Sequence, residues 1–377
     1  IIKVGSKLFG KQPGVHTYTH RYYIMKNKDG QANDRIEYID ILAVLSCLAV
    51  VFLHSNGIFW SFEKSRWWIY ADIIESVFYF AVPVCFMLAG ATLLDYRKKY
   101  STEEFFAKRI NKILIPFIFW SIVGIAMRFI NGSVDAGIFT PLNILDSVIN
   151  TKANGGTYWI FICLFTTYLI IPVFTLIPEE NKKETFLYII SGFVILNVAL
   201  PLISSLTGYV IPWNIGFIMP IGSNYVIYLL IGYCIDRYDI KKNSRIFIYI
   251  LGLFGLLLQM FGTLYLSFKD NSLNETFKGY MGLPCILYST ALFLFFRNLQ
   301  ASGIRTVLYN GALVFRKQVL GIYLLHYFVM AVVRRFITFN DQNVKYRILL
   351  GLVAFFTSWI IVKIGQKIPV LKKLLPQ

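Results

Sequence analysis

The stretch RIEYIDILAVLSCLAVVFLHS, Arg35 to Ser55, carries an almost unbroken apolar run from Ile39 to Leu53 that ends against His54. A neutral imidazole, with an unperturbed pKa of about 6.5, can take a proton at ambient pH. A polar ring inside a membrane is costly unless it faces protein or a water-filled cavity. At about 100° per helical residue, Asp40, Ala43, Cys47 and His54 form one stripe. At about 1.5 Å per residue, Asp40 lies roughly 20 Å from His54, too far to orient the ring. Two readings are open: a proton-accepting base lining a wet passage, or a packed histidine bonded to a neighbouring carbonyl or hydroxyl. An orienting group must come from another helix. Glu75 is one such acid, although it also reads as a glutamate facing water at a helix end. His326, three residues after Tyr323 in a late apolar run, is a second buried polar ring.

The elements that must position these groups are membrane helices. The chain is 56% hydrophobic and only 15% charged, far from the surface chemistry of a soluble protein of this length. Apolar runs of about 20 residues mark membrane-spanning helices. About ten occur, near 39–59, 72–94, 111–130, 158–177, 186–206, 215–235, 246–267, 281–298, 318–333 and 347–368. Gly222, Ser223 and Asn224 interrupt the sixth, and Arg316 and Lys317 crowd the start of the ninth. The expected architecture is all-α and polytopic, a multi-pass protein of the cell membrane. Three parts are read: residues 1–34 as a cytoplasmic tail, partly disordered, 35–370 as the membrane domain, and 371–377 as a C-terminal tail. Whether residues 1–24 precede the natural start, with Met25 opening a polar leader, is left open.

With both termini cytoplasmic, 27 of the 37 Lys and Arg residues fall on the inner side and 10 outside, as the positive-inside rule requires. The net charge of +17 then follows from basic loops beside an anionic leaflet and needs no nucleic acid. The outer loop from Arg334 to Arg347 departs from the rule. It reads either as a contact for an acidic polymer or as snorkelling at helix ends. The five cysteines, Cys47, Cys85, Cys163, Cys234 and Cys285, all sit in apolar segments without CxxC or Cys/His spacing, so neither disulfide nor zinc is expected. His16 and His20 lie four apart, but Gly14 and Thr17 disfavour a helical metal pair.

The block YIDILAVLSCLAVVFLHS resembles the first helix of the acyltransferase-3 family of integral membrane acyltransferases. FYFAVPVCFMLAGATLL, Phe78 to Leu94, is similar to the family's second block. FFAKRINKILIPFIFW, Phe105 to Trp120, resembles its basic, proline-containing approach to the third helix. GGTYWIFICLFTTYLIIPVF, YLLIGYCI and VLGIYLLH, ending at His326, fit later blocks, so the resemblance runs from about Arg35 to Ile368. It implies transfer of an acyl group, commonly acetyl, from cytoplasmic acyl-CoA as co-substrate to a hydroxyl of an extracytoplasmic glycan or lipid-linked sugar. It implies His54 as catalytic base, and no permanently bound cofactor is expected; Glu75, on the second helix, is the candidate partner that the residues themselves offer. Arg109 matches the family's basic pair, and with Lys108, Arg97 and Arg35 it is a candidate for gripping the CoA phosphates, since phosphate suits both Arg and Lys. Trp159 and Tyr158, with Asn154 beside them, are candidates for stacking on a sugar or for an interfacial aromatic belt. Tyr323 and His326 complete the candidate substrate-binding set.

Two positions depart from the family pattern. Ala43 stands where the resemblance implies an Arg ten residues before the His, and Ala89 stands where it implies a Ser before Gly90. Another cation can substitute for the first: Arg35 lies about 80–100° off the stripe, while Lys108 and Arg109 approach from the third helix. The alternative functions are a glycan or lipid transporter or flippase, or a divergent member with weak activity.

Overall fold

The computed structural model describes residues 37–207, 219, 225–299, 303–337 and 340–377. Residues 1–36, with His16, His20 and Arg35, lie outside the described residues, as does the Gly222–Asn224 interruption. In chain order the described helices are α1 Glu37–Ser55, α2 Arg66–Lys98, α3 Thr102–Ile130, α4 Pro141–Ile149, α5 Trp159–Phe174, α6 Glu179–Thr207, α7 Val226–Arg237, α8 Lys242–Asp270, α9 Leu283–Asn298, α10 Gly303–Phe315, α11 Val319–Phe336, α12 Val344–Gly365 and α13 Pro369–Leu374. Among the described residues there is no strand.

Seven of these helices, rather than the expected ten, are long and apolar enough to cross a membrane: α1, α2, α3, α6, α8, α11 and α12. Helices α5 and α9, at 16 residues each, extend about 24 Å, short of a hydrocarbon core of about 30 Å. The sixth expected span is described as a helix only from Val226, over 12 residues. Helix α10 was not expected. It is short, and only Tyr309 and Ala312 of its face are buried, packing on Ile41 and Val44 of α1.

Local chemistry sets several helix ends. Ser65 accepts a hydrogen bond from the Trp68 backbone N–H, and Ser101 from that of Glu104, each satisfying a donor that the first turn leaves orphaned. Inside α2, Pro83 has no N–H to offer the Tyr79 carbonyl, and the helix hitches at Tyr79–Phe80. The Cys285 thiol of α9 donates to that carbonyl instead, at 3.9 Å. The five cysteines are free thiols within helices.

Helices α1 and α2 form the centre: 72% of their most apolar stretches is buried, against 22% for α6 and α8. The second half of α2 lies backbone to backbone against α7. A Cβ on Gly90 would stand 1.9 Å from the Leu229 carbonyl oxygen, and one on Gly232 would stand 2.1 Å from that of Met87. Close approach at small residues is how helices associate where lipid removes the hydrophobic drive. The Gly90 of the Ala89–Gly90 pair is thus a packing requirement.

Helices α1 and α11 run parallel and in register. Cys47 Sγ donates to the Val319 carbonyl at 3.4 Å, and seven residues further along both helices His54 meets His326. Helix α12 closes the other side of α1, where Gly351 sits against Phe52 and Ser55. Near the start of α1, Tyr38 donates to Asp236 at 2.5 Å, Glu37 pairs with Arg305 at 2.7 Å, and Asp40 with Arg316 at 2.8 Å. The chain end folds back, Trp120 Nε1 donating to the Leu374 carbonyl at 2.9 Å while Leu375 is buried.

Candidate active site

Parallel packing of α1 and α11 brings two imidazoles together. His54 Nδ1 and His326 Nε2 are 2.6 Å apart, and the rings lie 6° from parallel with centroids 4.9 Å apart. His326 Nδ1 faces the Ile322 carbonyl at 3.3 Å. A carbonyl only accepts, so the hydrogen-bond network assigns the His326 proton to Nδ1 and leaves its Nε2 bare. His54 Nδ1–H then donates to that nitrogen, and His54 Nε2 is left with its lone pair. His326 is fully buried, whereas His54 is half-buried. In this tautomer His54 Nε2 is the unprotonated ring nitrogen of the pair that is not engaged by the other ring. About three turns back along its stripe, Ala43 is half-buried too.

The next layer holds α11 in place. The Tyr323 ring lies 5.4 Å from the His326 ring, and its hydroxyl donates to the Thr157 carbonyl at 2.6 Å. The Tyr158 hydroxyl donates to the Leu324 carbonyl. Tyr158, Tyr323, His326 and His54 thus assemble in one place. Trp159 points elsewhere: it packs 5.5 Å from the rings of Tyr225 and Tyr280, and Tyr280 stacks on Tyr79 at 4.2 Å.

Glu75 is buried, and its described partner is Asn56, whose side-chain amide donates to Oε2 at 3.1 Å and to the Ala71 carbonyl at 2.9 Å. The group hydrogen-bonded to His54 is His326, not Glu75. Asp72, one turn before Glu75, faces the Lys278 ammonium at 3.9 Å, and Lys278 also donates to Ser76 at 3.3 Å. That ammonium lies over the rings of Phe59 and Tyr79. Lys278, in the segment between α8 and α9, is buried. Burial pushes its pKa below the usual lysine range, against Glu75 and Asp72, which pull the other way.

The basic residues gather near the opposite end of α1. Arg109 lies over Phe105 and Tyr168, and its Nη2 reaches the Tyr100 hydroxyl at 3.4 Å. Lys108 sits 3.7 Å over the Tyr100 ring and pairs with Glu104 at 2.8 Å. Arg97 donates to Thr175 at 2.7 Å. Lys98, Lys182 and Arg237 are tied to Asp95 or Glu179. Arg109 has no carboxylate at ion-pair distance among the described residues, and its buried Nε has no partner. A cation the sequence did not single out stands at this end of α1: Arg316, in the turn before α11, pairs with Asp40 at 2.8 Å, about one turn from Ala43. Its only signal in the sequence was the charge crowding the start of an apolar run.

In the Arg334–Arg347 segment, Arg347 is buried and donates to the Trp67 carbonyl at 3.2 Å, and Arg334 pairs with Asp341 at 3.1 Å. Of those basic residues, these two thus have protein partners.

Residues 36–363 match the family Acyl_transf_3, an acyltransferase domain. Neither the curated proteins nor the solved structures contain a match.

Proposed function

We propose, from the premise that this chain belongs to the acyltransferase-3 family, that it is a membrane O-acyltransferase working across its own thickness. It takes an acyl group, acetyl on the family's common pattern, from acyl-CoA held at the Arg109 end. It passes that group to a hydroxyl of an extracytoplasmic glycan or lipid-linked sugar at the His54 end. The observation that carries the reading is the 2.6 Å contact between His54 Nδ1 and His326 Nε2.

A hydroxyl is a poor nucleophile until a base removes its proton. His54 Nε2 takes that proton, and the resulting positive charge is stabilised because Nδ1–H already donates to His326. The acceptor oxygen attacks the thioester carbonyl, the C–S bond breaks, and the departing CoA thiolate takes the proton back from His54. Arg109 and Arg97 bind the CoA phosphates, with Lys108 beside them. The pantetheine arm covers the roughly 20 Å between the levels of Asp40 and His54. Arg316, held by Asp40 beside Ala43, supplies the cation that the first helix lacks. Glu75 acts at one remove, fixing Asn56 two residues beyond His54.

Purified protein given radiolabelled acetyl-CoA should release free CoA, and His54→Ala should abolish turnover while the protein elutes as a folded monodisperse species. Undiminished turnover in that variant removes His54 as the base.

A further inference from the structure

Away from the histidine pair, a second group of buried polar side chains lies where α2 faces α8. The fully buried residues of α8 are Gly252, Gly255, Gln259, Thr263 and Ser267. The face this helix hides is therefore glycine and polar, while Phe254, Phe261 and Tyr265 are exposed. Polar side chains on a membrane helix turn inward to protein or to a wet cavity, and they mark ion and substrate sites. Gln259, Thr263 and Ser267 recur every fourth residue and so form one stripe. Around Gln259 the helix winds as a π-turn, Leu258–Gly262, a local insertion frequent at functional sites.

The stripe meets the ion pair of α2. Gln259 Nε2 donates to the Ser76 carbonyl at 3.2 Å. Lys278 reaches the same turn, donating to Ser76 Oγ at 3.3 Å and standing 3.9 Å from Asp72 Oδ1. The segment that carries Lys278 folds back on α8 beside the stripe: a Cβ on Gly262 would stand 2.5 Å from the Phe277 ring.

Two imbalances remain there. Asp72 and Glu75 are both buried, and among the described residues Lys278 is the only cation at ion-pair distance from either. Two buried carboxylates thus share one ammonium, and a buried charge without a counterion is strongly destabilising. The second imbalance is in oxygens. Asp72 Oδ2, Gln259 Oε1 and Thr263 Oγ1 are each buried with no hydrogen-bond partner, in side chains at most 1% exposed. The first two can only accept. Oxygens left open beside an unbalanced negative charge are the ligand chemistry of a hard cation. Among the described residues no three His, Cys, Asp or Glu gather to hold a metal, so the carboxylate-rich shell that calcium takes is not offered. One spare negative charge matches a monovalent ion.

We propose that the α2–α8 contact binds a monovalent alkali-metal cation on Asp72 Oδ2, Gln259 Oε1 and Thr263 Oγ1, with Lys278 keeping Asp72 Oδ1. The ion balances the charge of Asp72, Glu75 and Lys278. It also fastens α8, a largely lipid-facing helix, to the centre of the bundle. The site stands apart from acyl transfer, and its test needs no turnover.

Purified protein in nanodiscs is equilibrated with radiolabelled sodium, and its melting temperature is read in sodium, potassium and choline chloride at one ionic strength. Wild type should retain about one sodium ion per chain and melt at a higher temperature in sodium than in choline, since an ion bound only by the folded state stabilises it. Thr263→Val, which keeps shape and charge and removes only the hydroxyl, should bind sodium at least about tenfold more weakly, and Gln259→Leu likewise. Asp72→Asn should abolish both the bound ion and the difference between the salts. Should Asp72→Asn fail to fold, the two neutral variants carry the comparison. Equal melting in sodium and choline with no ion retained overturns the proposal, the spare charge then being cancelled by a proton. Sodium retained undiminished by Thr263→Val and Gln259→Leu overturns it too, by placing the ion elsewhere. A higher melting temperature in potassium than in sodium would identify potassium as the ion of this same site.

Discussion

His54 and His326 stand 272 residues apart in the chain and 2.6 Å apart in the fold, ring against ring. Because the Ile322 carbonyl fixes the His326 proton on Nδ1, the pair presents a single bare nitrogen, His54 Nε2, away from the buried partner. On the proposed reading His326 positions His54; the sequence had offered it as a candidate for substrate binding.

His326→Ala should lower kcat by about 10²-fold with little change in the KM for acetyl-CoA, the scale on which general-base assistance is lost. His326→Gln, whose side-chain oxygen can still accept from His54 Nδ1–H, should recover part of the rate. Steady-state kinetics on both variants decide the matter: equal rates for Ala and Gln would mean that hydrogen-bond acceptance at this position is irrelevant.

At the Gly232 crossing, stability rather than rate is at stake. A methyl group 2.1 Å from the Met87 carbonyl oxygen forces α7 away from α2, and overpacking of this kind costs about 1–3 kcal/mol. Gly232→Ala should lower the melting temperature in detergent measurably. Gly311→Ala in α10, where a Cβ meets nothing within 4 Å, should not; equal behaviour of the two variants would contradict the close crossing.

Lys278 is the one ammonium described beside the buried carboxylates Asp72 and Glu75. Lys278→Met should destabilise the fold by about 3–5 kcal/mol, because removing one partner strands buried charge. Adding Asp72→Asn should return part of that loss, a coupling that a double-mutant cycle of thermal stabilities measures. Additive effects of the two substitutions would show that the groups do not interact.

Arg109→Ala should weaken CoA binding by at least about tenfold, since a charge-assisted contact to phosphate is lost. Lys98→Ala should have little effect, because Lys98 is exposed and spent on Asp95 and Glu179. Isothermal titration of CoA into each variant makes the comparison, and unaltered affinity in Arg109→Ala would remove the phosphate grip from this residue.

The membrane character of the chain was legible from composition and run length, because a bilayer's thickness imposes its length directly on sequence. So was the candidacy of His54, since an imidazole in an apolar run is costly and conspicuous. The count of spans was less legible. Runs such as 158–177 and 281–298 are apolar enough to cross, yet their helices stop at 16 residues. Helix α10 was hidden by its polar flanks and by having few buried residues.

Sequence by itself determined which residues are apolar, which are basic, and that two imidazoles lie in apolar helices. It could not determine partners, because helix pairing in a membrane depends on small-residue contacts and register, which leave no periodic trace along one chain. Only the tertiary structure decided that α1 and α11 run parallel, so that His54 finds His326 rather than Glu75. Packing likewise buried the loop residue Lys278 and brought Arg316 to Asp40.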